Sequence, residues 1–171
     1  MGQYYKPTSV DEMESLYSHD YGSMSKLMEH SYIGNDFVNI AENLLSPEGR
    51  WYKHGFVWAG DYADKELSGD NLYTSAKEVK LKGDEFYTRK YFRYIINHTD
   101  KDYVDKNIVP EDDEGWKVHP LPLLTCEGNG RGGGDYRKDN NWIGAWARHR
   151  ISVENSIPEG YTELIPNFEM D

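Results

Sequence analysis

Between Asp36 and Leu45 the apolar residues Phe37, Ile40, Ala41, Leu44 and Leu45 recur at i, i+3, i+4, i+7 and i+8, which draws one stripe along an α-helix. Asn39, Glu42 and Asn43 fall on the opposite face and read as its polar side. Asn35 or Asp36 can cap the start, and Ser46-Pro47-Glu48-Gly49 supplies the stop. The pattern predicts a surface helix facing a core.

After Arg50 the period changes. Residues 51–58 are aromatic and β-branched and predict a strand, or a bent pair about His54-Gly55. Residues 91–97 and 102–106 form the best hairpin, joined by His98-Thr99-Asp100-Lys101. Residues 2–6 predict a short strand stopped by Pro7, residues 11–17 one or two helical turns, and residues 71–74 a short strand in a polar stretch. Residues 26–33 stay open between strand and helix. Pro120 and Pro122 predict an extended segment over 118–125, and residues 142–153 predict a strand broken near Arg148-His149-Arg150. Residues 111–114, Glu-Asp-Asp-Glu, predict a solvated loop. Strands outnumber helices without alternating with them, so the expectation is an α+β fold: one domain over 1–171, a mainly antiparallel β-sheet packed with one or two helices.

Composition adjusts this picture in one respect. Aromatics carry much of the core, with 14 Tyr, 5 Trp and 5 Phe among 171 residues, and each buried ring removes roughly 150–250 Å² from water. So many tyrosines read first as strand structure and second as a recognition surface.

Charge narrows the partners. A net charge of −11 gives no basic footprint for nucleic acid, so direct nucleic-acid binding is not expected, and anionic membranes are disfavoured. An acidic surface suits a basic protein partner. Cys126 is the lone cysteine, so no intrachain disulfide forms, which fits a cytoplasmic setting. No apolar run approaches the roughly 18 residues of a membrane helix, and the start Met1-Gly2-Gln3-Tyr4-Tyr5-Lys6 has no apolar signal core.

The glycine-rich segment 128–134 contains a literal GxGxxG, but no helical stripe follows it, so a dinucleotide fold is not expected. What remains is either a flexible tip or a cradle of backbone N–H groups in which Arg131 supplies a forked donor for an anion, with Asn129 beside it. Trp58-Ala59-Gly60-Asp61-Tyr62-Ala63-Asp64 delivers two carboxylates from an apolar strand. Asp61 and Asp64 suit a divalent cation or acid/base work, although an Asx turn after the strand is the commoner reason for such a pair. His119 and Cys126 form a conceivable nucleophile pair, against the commoner role of a lone cysteine as a small buried hydrophobe. Glu127 and Asp135 flank the glycine segment, and Trp142 and Trp146 follow it as candidates for stacking on a ligand. No metal set, catalytic constellation or cofactor motif emerges from these residues.

Four segments carry a resemblance: Gly2-Gln3-Tyr4-Tyr5-Lys6, Gly49-Arg50-Trp51, Trp58 to Asp64, and His119-Pro120-Leu121-Pro122-Leu123-Leu124-Thr125 running into the glycines. The chain resembles a family of small uncharacterised bacterial and phage proteins with a similar N-terminus and GDYAD-like segment. The resemblance spans most of the chain and implies no activity, ligand or catalytic residue.

Two functions fit. The first is a non-enzymatic binding protein, such as a phage or bacterial regulator or inhibitor docking on a basic protein surface. The alternative is a small-molecule pocket protein or enzyme that takes a nucleotide-like or phosphate-bearing ligand through the glycine-rich loop. The alternative requires the glycine segment and the Asp61 turn to meet.

Overall fold

The computed structural model describes residues 3–86, 90–128 and 140–168. Its longest helix, α2 (Asp36–Leu45), follows the sequence pattern. Asn35 caps it by accepting the Val38 N–H at 3.0 Å, and the whole stripe is buried. The polar face departs from expectation at one position, because Glu42 is only 3% exposed.

Two sheets share a core with this helix. The first has the order β4-β2-β1-β3-β7, with β1 (Tyr5–Ser9), β2 (Glu14–Ser15), β3 (Phe56–Gly60), β4 (Lys77–Glu78) and β7 (Cys126–Glu127). The second has the order β8-β5-β6-β9, with β5 (Tyr94–Asn97), β6 (Asp102–Asp105), β8 (Ile151–Glu154) and β9 (Thr162–Glu163). The longer ladders are antiparallel: β1 on β3, and β5 on both β6 and β8. The two-residue pairings β2–β4, β3–β7 and β6–β9 are parallel. The architecture is α+β, with the hairpin over 98–101 where the sequence put it.

An antiparallel bridge between Gly55 and Arg150 ties the sheets together, with the Phe56 N–H on the His149 carbonyl and the Ile151 N–H on that of His54. One core spans both: Trp51, Phe56 and Trp58 pack with Phe37, Leu44, Ile95, Leu124, Trp146 and Val153. Edge-on ring pairs Phe37–Trp58 and Phe56–Trp58 lie at its centre.

Several local expectations are corrected. Pro7 does not stop the first strand but sits inside β1 opposite Trp58. Its carbonyl accepts the Leu16 N–H on the β2 side. Its missing N–H therefore faces that side too, and the β3 ladder loses nothing. Residues 11–17 turn into β2 instead of a helix, and residues 26–33 hold the short helix α1 (Leu27–His30). Residues 71–74 begin the helical turn α3 (Leu72–Ser75), which Asn71 caps through the Thr74 N–H. The 118–125 segment contains helix α4 (Pro120–Thr125). Both prolines lie in its first turn, where backbone N–H groups have no helical acceptor, and the His119 ring caps it from Nδ1 to the Leu121 N–H at 3.2 Å. Residues 142–153 hold successive turns before β8 instead of one long strand.

Candidate functional site

Strands β3 and β7 run parallel, with Trp58 opposite Cys126 and Ala59 opposite Glu127. They therefore discharge their following segments, the Asp61 turn and the start of the glycine segment, at the same end of the sheet. Two glycines make this approach feasible. A Cβ on Gly60 would stand 2.8 Å from the Glu127 carbonyl oxygen, and one on Gly128 would stand 2.5 Å from Gln3 Oε1.

The Asp61 turn is held from both sides. Asp61 Oδ1 accepts the Tyr4 N–H at 2.9 Å, so one carboxylate of the sequence pair has a structural duty. Asn71 Nδ2 donates to the carbonyls of Asp61 and Ala63 at 3.0 and 3.1 Å, which locks the turn onto α3. Between turn and helix lies an open depression of about 410 Å³ lined by Asp61, Ala63, Asp64, Lys65, Asp70, Asn71 and Thr74. Asp64 and Asp70 are exposed and make no ion pair or side-chain hydrogen bond among the described residues. Leu67, on the turn between them, is fully exposed.

Beside the depression Arg148 joins two segments. Its guanidinium makes a forked pair with Glu66 at 2.7 and 3.0 Å and a second with Glu127 at 2.8 and 2.5 Å. Arg148 has φ of +68°, a backbone angle that a side chain tolerates when its surroundings hold it there. Hydrogen bonds to the two carboxylates raise its pKa, and the Arg148 bond lowers that of Glu66. Glu127 is thus engaged within the protein. Among the described residues no group of three or more His, Cys, Asp or Glu side chains is placed to hold a metal ion.

The other sequence candidates separate from this end. Trp58 is fully buried, and its indole N–H donates to His30 Nε2 at 2.9 Å. The His30 Nδ1 lies 2.9 Å from the Met24 carbonyl, so that nitrogen carries the proton and the ring is neutral; burial lowers its pKa to about 4. Cys126 is buried, and desolvation pushes its thiol pKa up. Trp142 is half-buried and packs against the core. Asn129, Arg131 and Asp135 lie outside the described residues.

His119 belongs to a cluster that sequence reasoning missed. Its Nε2 stands 3.1 Å from Glu42 Oε1, while Lys106 Nζ donates to Glu42 Oε2 at 2.7 Å. His119, Glu42 and Lys106 are 0%, 3% and 2% exposed. Because His119 Nδ1 accepts the Leu121 N–H, the proton resides on Nε2, which lies near the carboxylate without a well-aligned hydrogen bond to it. Burial lowers the His119 pKa and keeps the ring neutral. Burial also opposes ionisation of Glu42, but His119 and Lys106 together outweigh it and hold that carboxyl below its ordinary value. The signal for this cluster was slight: Glu42 lies one helical position from the apolar stripe, and no spacing links it to residues 106 and 119.

No helix among the described residues is long and apolar enough to cross a membrane. The chain matches no family model, no curated protein and no solved structure.

Proposed function

We propose that this chain is a non-enzymatic interaction protein whose acidic end, outside β3 and β7, docks on a basic protein surface. The observation that carries this reading is the depression between the Asp61 turn and α3. Three aspartates line it against a single lysine, and the carboxylates of two of the three, Asp64 and Asp70, have no partner among the described residues. Such a wall attracts Lys and Arg side chains and speeds their encounter. Leu67, exposed on the segment between Asp64 and Asp70, offers an apolar contact.

A second reading draws on a specific observation, the emergence of the Asp61 turn and the glycine segment from adjacent parallel strand ends. Ligands of open parallel sheets sit in such places. The local charge disfavours a phosphate there. Arg148 is already engaged by two carboxylates, and Asp61, Asp64 and Asp70 stand nearby.

The test is titration of the protein with a short fluorescein-labelled peptide of alternating arginine and glycine, at rising salt. Fluorescence anisotropy should report binding that weakens with ionic strength. Asp64→Asn/Asp70→Asn should weaken it several-fold and flatten the salt dependence. Equal affinity in the double variant would remove the depression from the reading, and an absence of wild-type binding at low salt would end the reading as a whole.

A further inference from the structure

The acidic segment at residues 111–114 is a folded knuckle. The Asp112 carboxylate accepts the Glu114 and Trp116 N–H groups at 2.9 and 2.8 Å. The Asp112 N–H reaches the Trp116 carbonyl at 2.8 Å, and the Gly115 N–H reaches that of Asp112 at 3.0 Å, with Gly115 at φ +84°. The knuckle is rooted in the body of the protein. Val118 bridges Tyr32, the Ile33 N–H binds the Lys117 carbonyl, and the His119 N–H binds that of Ser31.

This scaffold holds Trp116 out in solvent. The residue is 48% exposed, and its indole N–H makes no hydrogen bond among the described residues. Its ring meets that of Tyr32 at a centroid distance of 4.8 Å and an angle of 63°, so the two form an aromatic corner. Glu111, Asp113 and Glu114 are exposed beside it, and their carboxylates have no partner among the described residues. The neighbouring cation is Lys117, which is half-buried.

A large ring left in water needs a reason, because aromatic rings are preferentially placed in cores and at interfaces. Core packing does not require this one: it belongs to neither core cluster, and its ring partner among the described residues is Tyr32. The bonds through Asp112 fix the knuckle before any partner arrives, so binding there carries little ordering cost. An indole face attracts a cation through its quadrupole, a second inclined ring supplies another wall, and surrounding carboxylates meet the charge.

We infer that Trp116 and Tyr32, framed by Glu111, Asp113 and Glu114, form a docking corner for an arginine or lysine side chain on a peptide segment of the protein partner. The inference rests on the reading above that the partner is basic, and it names a second contact on that partner. Arginine suits the corner better than lysine, because its flat guanidinium stacks on a ring while its edge bonds carboxylates.

The experiment uses the full chain and the same arginine–glycine peptide, at about 0.15 M salt, where the Debye length is about 8 Å and distant charges are muted. Binding is read by anisotropy and by the indole N–H resonance of Trp116. Trp116→Ala should weaken binding roughly tenfold, Trp116→Phe should retain part of it, and replacing arginine by citrulline should abolish the Trp116 dependence. Glu111→Gln/Asp113→Asn/Glu114→Gln should weaken binding and flatten its salt dependence. Unchanged affinity in Trp116→Ala, with binding still sensitive to Asp64→Asn/Asp70→Asn, would overturn the corner and leave the parent reading standing. Loss of all wild-type binding would overturn both. A concentration-dependent dimer in sedimentation that Trp116→Ala abolishes would also overturn it, assigning the corner to a second copy of the chain.

Discussion

Replacing Lys106 by Met tests the buried charge cluster. The ammonium donates to Glu42 at 2.7 Å and lies 4.6 Å from the Tyr91 ring centroid, while its stem is packed at 2% exposure. Methionine keeps most of that volume and removes the charge. Glu42 is then left buried with only the neutral His119 at 3.1 Å. Breaking one side of a buried ion pair costs about 3–5 kcal/mol, against a total stability of about 5–15 kcal/mol for a domain. At this chain length such a loss lowers Tm by roughly 6–20 °C. The pH dependence carries the sharper test. In the wild type the Glu42 pKa is depressed, so its contribution is present above the unfolded carboxyl value and is lost as pH falls through the folded one. In Lys106→Met the folded pKa should instead rise above the unfolded value, and stability should fall as pH rises. The deficit should therefore be smaller at acidic than at neutral pH. Urea unfolding across this pH range measures both effects, and Glu42→Gln/Lys106→Met should recover part of the loss. A deficit below about 1 kcal/mol, or one independent of pH and unrelieved by the second substitution, would refute the reasoning.

His30 makes a second pH prediction. Its pKa falls from 6.5 to about 4 on folding, so the unfolded chain binds the extra proton between those values. Acidification across that window should remove about 3 kcal/mol; urea midpoints over that range check it, and His30→Gln should flatten the acid limb. Cys126 should resist a thiol reagent in the native state and react at the rate of global unfolding, because its thiol is buried and its pKa raised. Gly60→Ala should cost about 1–3 kcal/mol in thermal unfolding, since the added Cβ would press on the Glu127 carbonyl and the Tyr5 ring.

How much of this was legible in the sequence depends on whether a signal was local. Helix α2 and the hairpin at 98–101 follow from periodicity and turn chemistry that a short window contains. The prolines misled because their effect depends on position. Pro120 and Pro122 forbid a helix interior but suit its first turn, and Pro7 harms a ladder only on the side its nitrogen faces. Asp61 reads in the sequence as an Asx-turn residue or a candidate ligand, but its carboxylate bonds the distant Tyr4 N–H and not its own local backbone. The Glu42–Lys106–His119 contact and the clamp of Arg148 on Glu66 and Glu127 join residues far apart in the chain, so no spacing could announce them.

On the proposed reading, the way the charges are distributed turns an acidic composition into a recognition property. Many of the cations are engaged internally: Lys6 with Glu78, Arg93 with Asp105, Lys106 with Glu42, Arg148 with Glu66 and Glu127, and Arg150 with Asp11. Those pairs neutralise carboxylates along the seams of the fold. The acids left to solvent include Asp64 and Asp70 at the depression and Glu111, Asp113 and Glu114 on the knuckle. Each group stands on a turn pinned by side chains, Asp61 and Asn71 in the first case and Asp112 in the second. Each also has an exposed apolar residue within it or beside it, Leu67 and Trp116. Diffuse acidity for solubility would require neither the pinning nor the apolar residue. Removing the pin while keeping the charge separates the two explanations. Asp112→Glu keeps a carboxylate but lengthens the side chain and should disturb both backbone bonds. If the knuckle recognises a cation by its shape, that variant should bind the arginine peptide several-fold more weakly at unchanged net charge. If only charge matters, it should bind as the wild type does.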